Sequence, residues 1–458
     1  MINVAVSNDL IIAKNQLSKD TTDLIREKFT YANPVFFKNA RLGFKNWGVS
    51  PTITVLRDTG DCYHLPRGCL CELSALIPIA IEDLTVESPA DFPTPFLKLR
   101  EYQQIALQAL LSSNQGLLVS PCGSGKTEIA CAVIFERCQK TLVIVHTKDL
   151  LKQWADRIRT RLNIEPGIIG AGLRDDSKPV TVGTVQSLQK GLEPSFVNQF
   201  GMVILDEAHH CPARTFGEII NKFPARSRLG LSATPTRADG MEFLMHAAFG
   251  RILHTITDGD LSEAHTITPS VRVFETKTTL QPVNDYGEML GELFVDEFRN
   301  SLITETVSKE ARGGHSCLVL SQRINHITLL SNLLTASYPT VKSAIITGRE
   351  PQAFRQQALE DMRSGELSVL FSCKLADEGL DIPRLDRLFL TAPIRSASRL
   401  IQQIGRIKRP FPGKLDAIVY DFLDGSITLS KSQFYSRVGV YKSQNIKVEK
   451  ADYEIRNT

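Results

Sequence analysis

Two short runs of this 458-residue chain combine residue types and spacings that suit chemistry. The first is Ser120-Pro121-Cys122-Gly123-Ser124-Gly125-Lys126-Thr127, which follows an apolar stretch and opens a helical pattern. Glycine at 123 and 125 lets backbone N–H groups meet phosphate oxygens with no side chain in the way. Lys126 reaches the β- and γ-phosphates, and Thr127 offers a hydroxyl to Mg2+. The helix opening there adds the positive end of its dipole. Strand, glycine turn and helix are the context a P-loop requires, although Ser120 stands where glycine or alanine is usual. Pro121 to Thr127 are therefore the expected nucleotide-binding residues. The second run is MVILDEAHH, residues 202–210, a buried-strand pattern that ends in two acids. Asp206 is expected to hold Mg2+ together with Thr127, partly through water, and Glu207 to polarise an attacking water as general base. Lys126, Asp206 and Glu207 are thus candidates for hydrolysis of a nucleoside triphosphate.

Residues so placed need strands to carry them. Short β-type apolar runs recur at 116–120, 141–145, 202–205, 317–321, 343–346, 368–373, 388–391 and 417–420. Helical patterns at 128–139, 149–161 and 324–336 separate many of them, so the expected class is α/β, with parallel sheets covered by helices. Proline-rich and acidic residues near 81–96 read as the end of a small first domain. The expected plan is residues 1–85 as an N-terminal domain, 86–98 as linker, 99–262 and 263–440 as two α/β lobes, and 441–458 as a tail.

With 42% hydrophobic and 22% charged residues the composition matches folded globular chains and argues against large-scale disorder. A net charge of +3 permits an anionic partner without selecting one, so any positive surface is local. No run approaches a membrane span and the N-terminus carries no leader pattern, so a cytoplasmic protein is expected. Nine cysteines fit reduced thiols better than a disulfide framework. Cys62, His64, Cys69 and Cys71 could ligate zinc, but their spacing is tighter than usual, and a strand and turn around Leu65-Pro66-Arg67-Gly68 is the competing reading.

Asp206-Glu207-Ala208-His209 is a DEAH box, and it resembles motif II of superfamily 2 helicases and translocases. Other motifs follow in that family's order. Arg100, Tyr102 and Gln103, in LREYQQ, resemble the R-x-Y-Q element associated with adenine. Thr147 and Lys148, in LVIVHTKDLLKQW, resemble motif Ia, and Thr184 and Gln186, in TVGTVQSL, the next strand-end motif. The resemblance implies that both touch the nucleic-acid backbone. Ser232, Ala233 and Thr234, in LSATPTR, resemble motif III, which couples the lobes. Ser321, Gln322 and Arg323 sit where motif IV is expected, and Thr347, Gly348 and Arg349 where the next backbone-contacting strand lies. Lys374, Gly379 and Asp381, in FSCKLADEGLDIPRLD, resemble motif V, with Asp381 matching the acid that approaches the ribose. Gln402, Arg406 and Arg409, in QQIGRIKR, fit motif VI. Those arginines are expected to reach the γ-phosphate when the lobes close, a contribution of roughly 10³–10⁵ in rate. The implied fold is two tandem RecA-like lobes with parallel sheets behind a small α+β domain, and the implied cofactors are ATP and Mg2+.

Ahead of this motor lies FFKNARLGFKNWG, residues 36–48, in a stretch with no acidic residue between Glu27 and Asp58. Aromatic faces stack on bases and cations meet phosphates, so the mixture suits nucleic acid. A domain core with solvated lysines is the alternative, and Phe36 and Phe37 are the aromatics assigned to it. Lys45, Asn46 and Trp47 are the candidate DNA-facing edge. The order R-x-Y-Q, DEAH, GLSATPTRADG and DEGLDIP resembles the DNA-directed group with XPB, RecG and the phage UvsW-type branch-migration helicases, including the T5-like phages. The resemblance implies an ATP-dependent monomer acting on forked or four-way DNA, in the host cytoplasm, alongside recombination or replication proteins. A single-strand RNA or DNA helicase and an ATP-gated clamp are the other readings.

Overall fold

The computed structural model describes residues 1–121, 123–210, 215, 218–237, 239–262, 267–279, 286–373 and 382–451. Cys122, Lys374, Gly379 and Asp381 lie outside the described residues. Two compact units divide between Thr257 and Asp258.

The first unit begins with a five-stranded sheet ordered Arg57–Asp58, Cys62–Pro66, Asp9–Ala13, Ile2–Val6, Ile79–Asp83. Its last pair is parallel and the rest antiparallel. The helix Lys19–Lys28 buries Ile25 against Val4, Leu10, Ile12 and Leu65, and Ser18 caps its start. The α+β character expected for this region is present. Cys69 is buried and its thiol is pushed well up by burial, whereas Cys71 is exposed on the following helix.

An eight-stranded sheet follows in the same unit, ordered Leu173–Arg174, Gly167–Gly170, Val180–Thr184, Thr141–Val145, Met202–Leu205, Ser227–Ser232, Gln115–Val119, Ile252–Thr255. All pairs are parallel except the first. Central strands such as Thr141–Val145 are buried along their whole length, which explains why they read as unbroken apolar runs. Residues 86–98, expected as a linker, run along this lobe, where Val86 bridges Ala225 and Pro89 bridges Gln139.

The N-terminal domain is fastened to this lobe by the Leu65-Pro66-Arg67-Gly68 turn. Arg67 is 2% exposed and donates to Gln115 Oε1 at 2.7 Å, Ala225 O at 2.6 Å and Arg226 O at 2.9 Å. Gln115 Nε2 returns a bond to Arg67 O at 3.0 Å. These acceptors meet the guanidinium's demand for partners, without which its burial would cost several kcal/mol (about 2–7 for a lone polar group). Gly68 packs so closely on the helix Glu242–Phe249 that a Cβ there would lie 2.2 Å from His246 O. Tyr31 stacks on Phe243 of that helix with ring centroids 4.4 Å apart.

The second unit is a seven-stranded, fully parallel sheet ordered Ser343–Ile346, Val369–Cys373, Cys317–Ser321, Arg387–Leu390, Ile418–Leu423, Ser270–Glu275, Lys447–Lys450. The tail expected from residue 441 is a correction. Helix Thr428–Ser443 runs through that boundary, and Lys447–Lys450 pairs with Ser270–Glu275 as the edge strand. The exposed lysines at its two ends, Lys447 and Lys450, suit an edge that must resist further pairing.

Gly68→Ala should lower the unfolding free energy by about 1–3 kcal/mol through overpacking. It should also open residues 86–98 to proteolysis, because the N-terminal domain loses its seat. An unchanged denaturation midpoint and cleavage pattern would contradict this docking.

Candidate active site

Three neighbouring strands build one edge of the first lobe. Gln115–Val119 lies beside Ser227–Ser232, which lies beside Met202–Leu205, so the glycine turn, Ser232–Thr234 and Asp206-Glu207 leave the sheet at the same carboxyl end. Open parallel sheets bind ligands at that end. Gly123 and Gly125 have φ of 87° and 83°, a left-handed backbone that glycine adopts without steric cost.

Ser120, the departure from the usual pattern, has a structural reason. Its buried hydroxyl pairs with Ser124 Oγ, which lies 2.7 Å from Pro121 O, so the serine stitches the loop across its base. The R-x-Y-Q side chains fasten the same loop from outside: Tyr102 Oη and Gln103 Nε2 both donate to Ser124 O at 2.9 Å. Gln103 Oε1 in turn accepts from Arg100 N at 2.9 Å, and Arg100 Nη1 donates to Tyr102 Oη at 3.4 Å. Lys126 Nζ donates to Ser120 O at 3.2 Å and lies 3.7 Å from Glu207 Oε1.

Asp206 is buried, and each of its oxygens has a donor. Trp154 Nε1 donates to Oδ2 at 2.8 Å and Glu207 N to Oδ1 at 2.9 Å. Burial, then the neighbouring Glu207 charge, push its carboxyl up to about 6, with Lys126 and the two donors opposing. Glu207 holds φ of 51°, a left-handed conformation that costs a non-glycine residue roughly 1–3 kcal/mol and that clusters at functional sites. Its Oε2 lies 3.4 Å from His209 Nδ1, which is 2.9 Å from Ser232 Oγ, and that hydroxyl donates to Thr234 O at 2.5 Å. Glu207 and the Ser232–Thr234 segment are thereby joined by one polar chain. A hard carboxylate oxygen on Asp206 and the hydroxyl of half-buried Thr127 are the donor types Mg2+ takes, so this set fits that ion.

Trp154 was visible in the sequence only as the last residue of the motif Ia stretch. It is 1% exposed, and its role depends on a partner 52 residues away.

Of the residues expected to touch nucleic acid, some face outward and some do not. Thr147 accepts from Leu150 N as the cap of helix Lys148–Leu162, with Lys148 exposed beside it. Gln186, also exposed, reaches His146 O at 3.2 Å from the neighbouring strand end, so these residues share one edge. Gln322, Arg323, Gly348 and Arg349 lie past the carboxyl ends of their strands in the second unit, with Arg323, Gly348 and Arg349 exposed. Thr184, Ser321, Thr347 and Asn46 are turned inward instead. Thr184 caps the helix Val185–Leu188, Ser321 Oγ bonds His326 Nδ1 at 2.8 Å, Thr347 is gripped by Glu350, and Asn46 Nδ2 donates to Phe36 O at 3.1 Å. They position their loops. Gln402, Arg406 and Arg409 lie on or just past helix Ala397–Ile407.

Residues 96–237 match the family described as Type III restriction enzyme, res subunit, and residues 298–410 the helicase conserved C-terminal domain. A putative ATP-dependent RNA helicase of Acanthamoeba polyphaga mimivirus is 30% identical over 77% of this chain and 69% of its own length. The chain belongs to the superfamily 2 helicases. It is an ATP-hydrolysing enzyme, and both of its lobes are RecA-like. This helicase is also 29% identical to the probable helicase D10 of Escherichia phage T5, over 94% of this chain and 91% of that one. The DNA 3'-5' translocase XPB2 of Sulfurisphaera tokodaii is 27% identical over 72% of this chain and 83% of its own.

Glu207→Gln should keep ATP binding, read by a fluorescent analogue, while turnover falls by about 10²–10⁴, the usual worth of a general base. Unchanged steady-state hydrolysis would refute the role. Trp154→Phe removes a buried donor without opening a large cavity, so the Mg2+ concentration at half-maximal ATPase should rise about tenfold or more. An unaltered Mg2+ titration in a folded variant would show that the indole bond does not orient Asp206.

Proposed function

We propose that this helicase is an ATP-dependent DNA translocase of branched DNA, which unwinds duplexes, regresses forks and migrates four-way junctions during phage recombination, repair or replication. The observation that carries the reading is the 33–50 segment. Phe37, Phe44 and Trp47 are 54%, 64% and 84% exposed, beside exposed Lys38, Arg41 and Lys45. Phe36 is half-buried against Phe37, so the expected aromatic core is not formed here. Leaving such area in water is a cost that a stacking partner would relieve. Because Arg67 and Gly68 fix this domain on the first lobe, the patch travels with the ATP site.

DNA is favoured over RNA by the restriction-enzyme family matched by the first lobe and by the translocase named among the relatives. The relative named as an RNA helicase makes RNA the alternative to test. In the proposed cycle Asp206 and Thr127 hold Mg2+, which supplies charge neutralisation on the phosphates. Lys126 binds the transferred phosphate, Glu207 takes the proton of the attacking water, and Arg406 and Arg409 stabilise the charge that develops on the phosphate. Thr147, Lys148, Gln186, Gln322, Arg323 and Arg349 supply backbone contacts, so affinity should fall steeply with salt. A monomer in the host cytoplasm serves this role, and no described helix is long and apolar enough to cross a membrane.

The test compares ATPase stimulation and strand separation on four-way junctions, forks, tailed duplexes and RNA. Junctions and forks should stimulate best; best stimulation by RNA with inert junctions would overturn the reading. Lys45→Ala with Trp47→Ala should weaken junction processing by about tenfold, on the scale of 1–3 kcal/mol per stacked base, while basal ATPase is kept. Equal loss of both activities would point to the fold instead.

A further inference from the structure

Outside the active site, a half-buried cation joins two of the second lobe's motif segments. Lys414 follows Pro410-Phe411-Pro412-Gly413, a turn in which Gly413 has φ of 82° and Lys414 N donates to Phe411 O at 3.0 Å. The turn sends the side chain back beneath helix Ala397–Ile407. There Lys414 Nζ donates to Leu385 O at 2.6 Å, Ile407 O at 2.6 Å and Arg409 O at 2.8 Å, with Pro383 O at 3.4 Å. An ammonium has three protons, and three short acceptors take them. Ile407 is the last residue of the helix and its carbonyl has no partner within it, so the cation caps the helix end while gripping the next backbone turn.

We propose that Lys414 is a positioning residue for ATP hydrolysis: it ties the backbone carrying Arg406 and Arg409 to the Ile382–Asp386 segment that ends motif V. The inference rests on the motif VI arginines acting on the nucleotide. It goes further by assigning their placement to a residue outside every motif. Deprotonation would leave two donors for three short acceptors and loosen that tie. The groups acting on Lys414 make this titration accessible: burial lowers its pKa most, Asp386 and Asp416 oppose, and Arg409 and Arg387 lower it further, to about 8. Charge on the amine is therefore present below about pH 8 and lost above it.

The experiment measures DNA-stimulated kcat and KM for ATP between about pH 7 and pH 9.5, a range that brackets the lowered lysine but not an ordinary one. The wild type should lose kcat through about pH 8 with KM nearly constant. Lys414→Met should lower kcat about tenfold at neutral pH, as for one lost charge-assisted contact, and show no further alkaline fall. Lys414→Arg, which stays charged, should recover rate and flatten the alkaline limb. Full kcat in a folded Lys414→Met, or an unchanged alkaline limb in Lys414→Arg, overturns the proposal. Should Lys414→Met fail to fold, a wild-type kcat that stays flat to about pH 9.5 overturns it equally. Arg406→Ala is run in parallel. If it keeps full rate, the parent reading falls and this one with it; if it loses rate while Lys414→Met does not, the positioning role alone falls.

Discussion

The buried carboxylate of Asp206 is the constraint around which the first lobe is arranged. An ionised acid inside a protein is stable only when its oxygens find donors and a cation lies near. The sheet supplies these by converging chain ends: Trp154 from the flanking helix, the Glu207 amide from an unusual left-handed backbone, and Lys126 from the glycine turn. Each of these groups has a second attachment. Lys126 is tied to Ser120, Glu207 approaches His209 and through it Ser232, and Trp154 sits on the helix whose first turn is expected at the nucleic-acid backbone. Asp206 and Glu207 are therefore joined through bonded groups both to Ser232 and to helix Lys148–Leu162.

The same economy appears at the N-terminal domain. Its core takes in Ala247 of the lobe's helix Glu242–Phe249, and the Leu65-Pro66-Arg67-Gly68 turn adds Arg67, which reads backbone carbonyls of the lobe. Carbonyl recognition by a buried guanidinium is directional and needs no matching acid, so it sets one orientation. That orientation leaves an exposed aromatic and basic segment fixed to the ATP-binding lobe. Lys414 repeats the device in the second lobe, where a half-buried cation again reads main-chain oxygens.

Much of this was legible in the sequence. Strands Thr141–Val145, Met202–Leu205 and Cys317–Ser321 coincide with their apolar runs, because strands covered on both faces carry no alternation to blur their ends. The convergence of Lys126, Asp206 and Glu207 was legible because phosphate chemistry dictates residue type and spacing together. What sequence could not give were bonds to partners far along the chain: Arg67 to Ala225 spans 158 residues, and the oxygens it meets are backbone, which no side-chain pattern records. Phe37 reads as core by type, yet the short helix Pro34–Arg41 buries no face of its own. The edge strand Lys447–Lys450 is exposed throughout, so no apolar alternation announced it.

The Trp154–Asp206 hydrogen bond is expected to respond to Mg2+ and nucleotide together. The chain has two tryptophans, and Trp47 is almost fully exposed, so Trp47→Phe leaves Trp154 as the sole indole reporter. Emission of that variant is then followed on adding Mg2+ with a non-hydrolysed ATP analogue. A saturable change that requires both, and that disappears in Asp206→Asn, is the predicted result. Emission that stays constant while a separate assay shows the nucleotide bound would contradict the account.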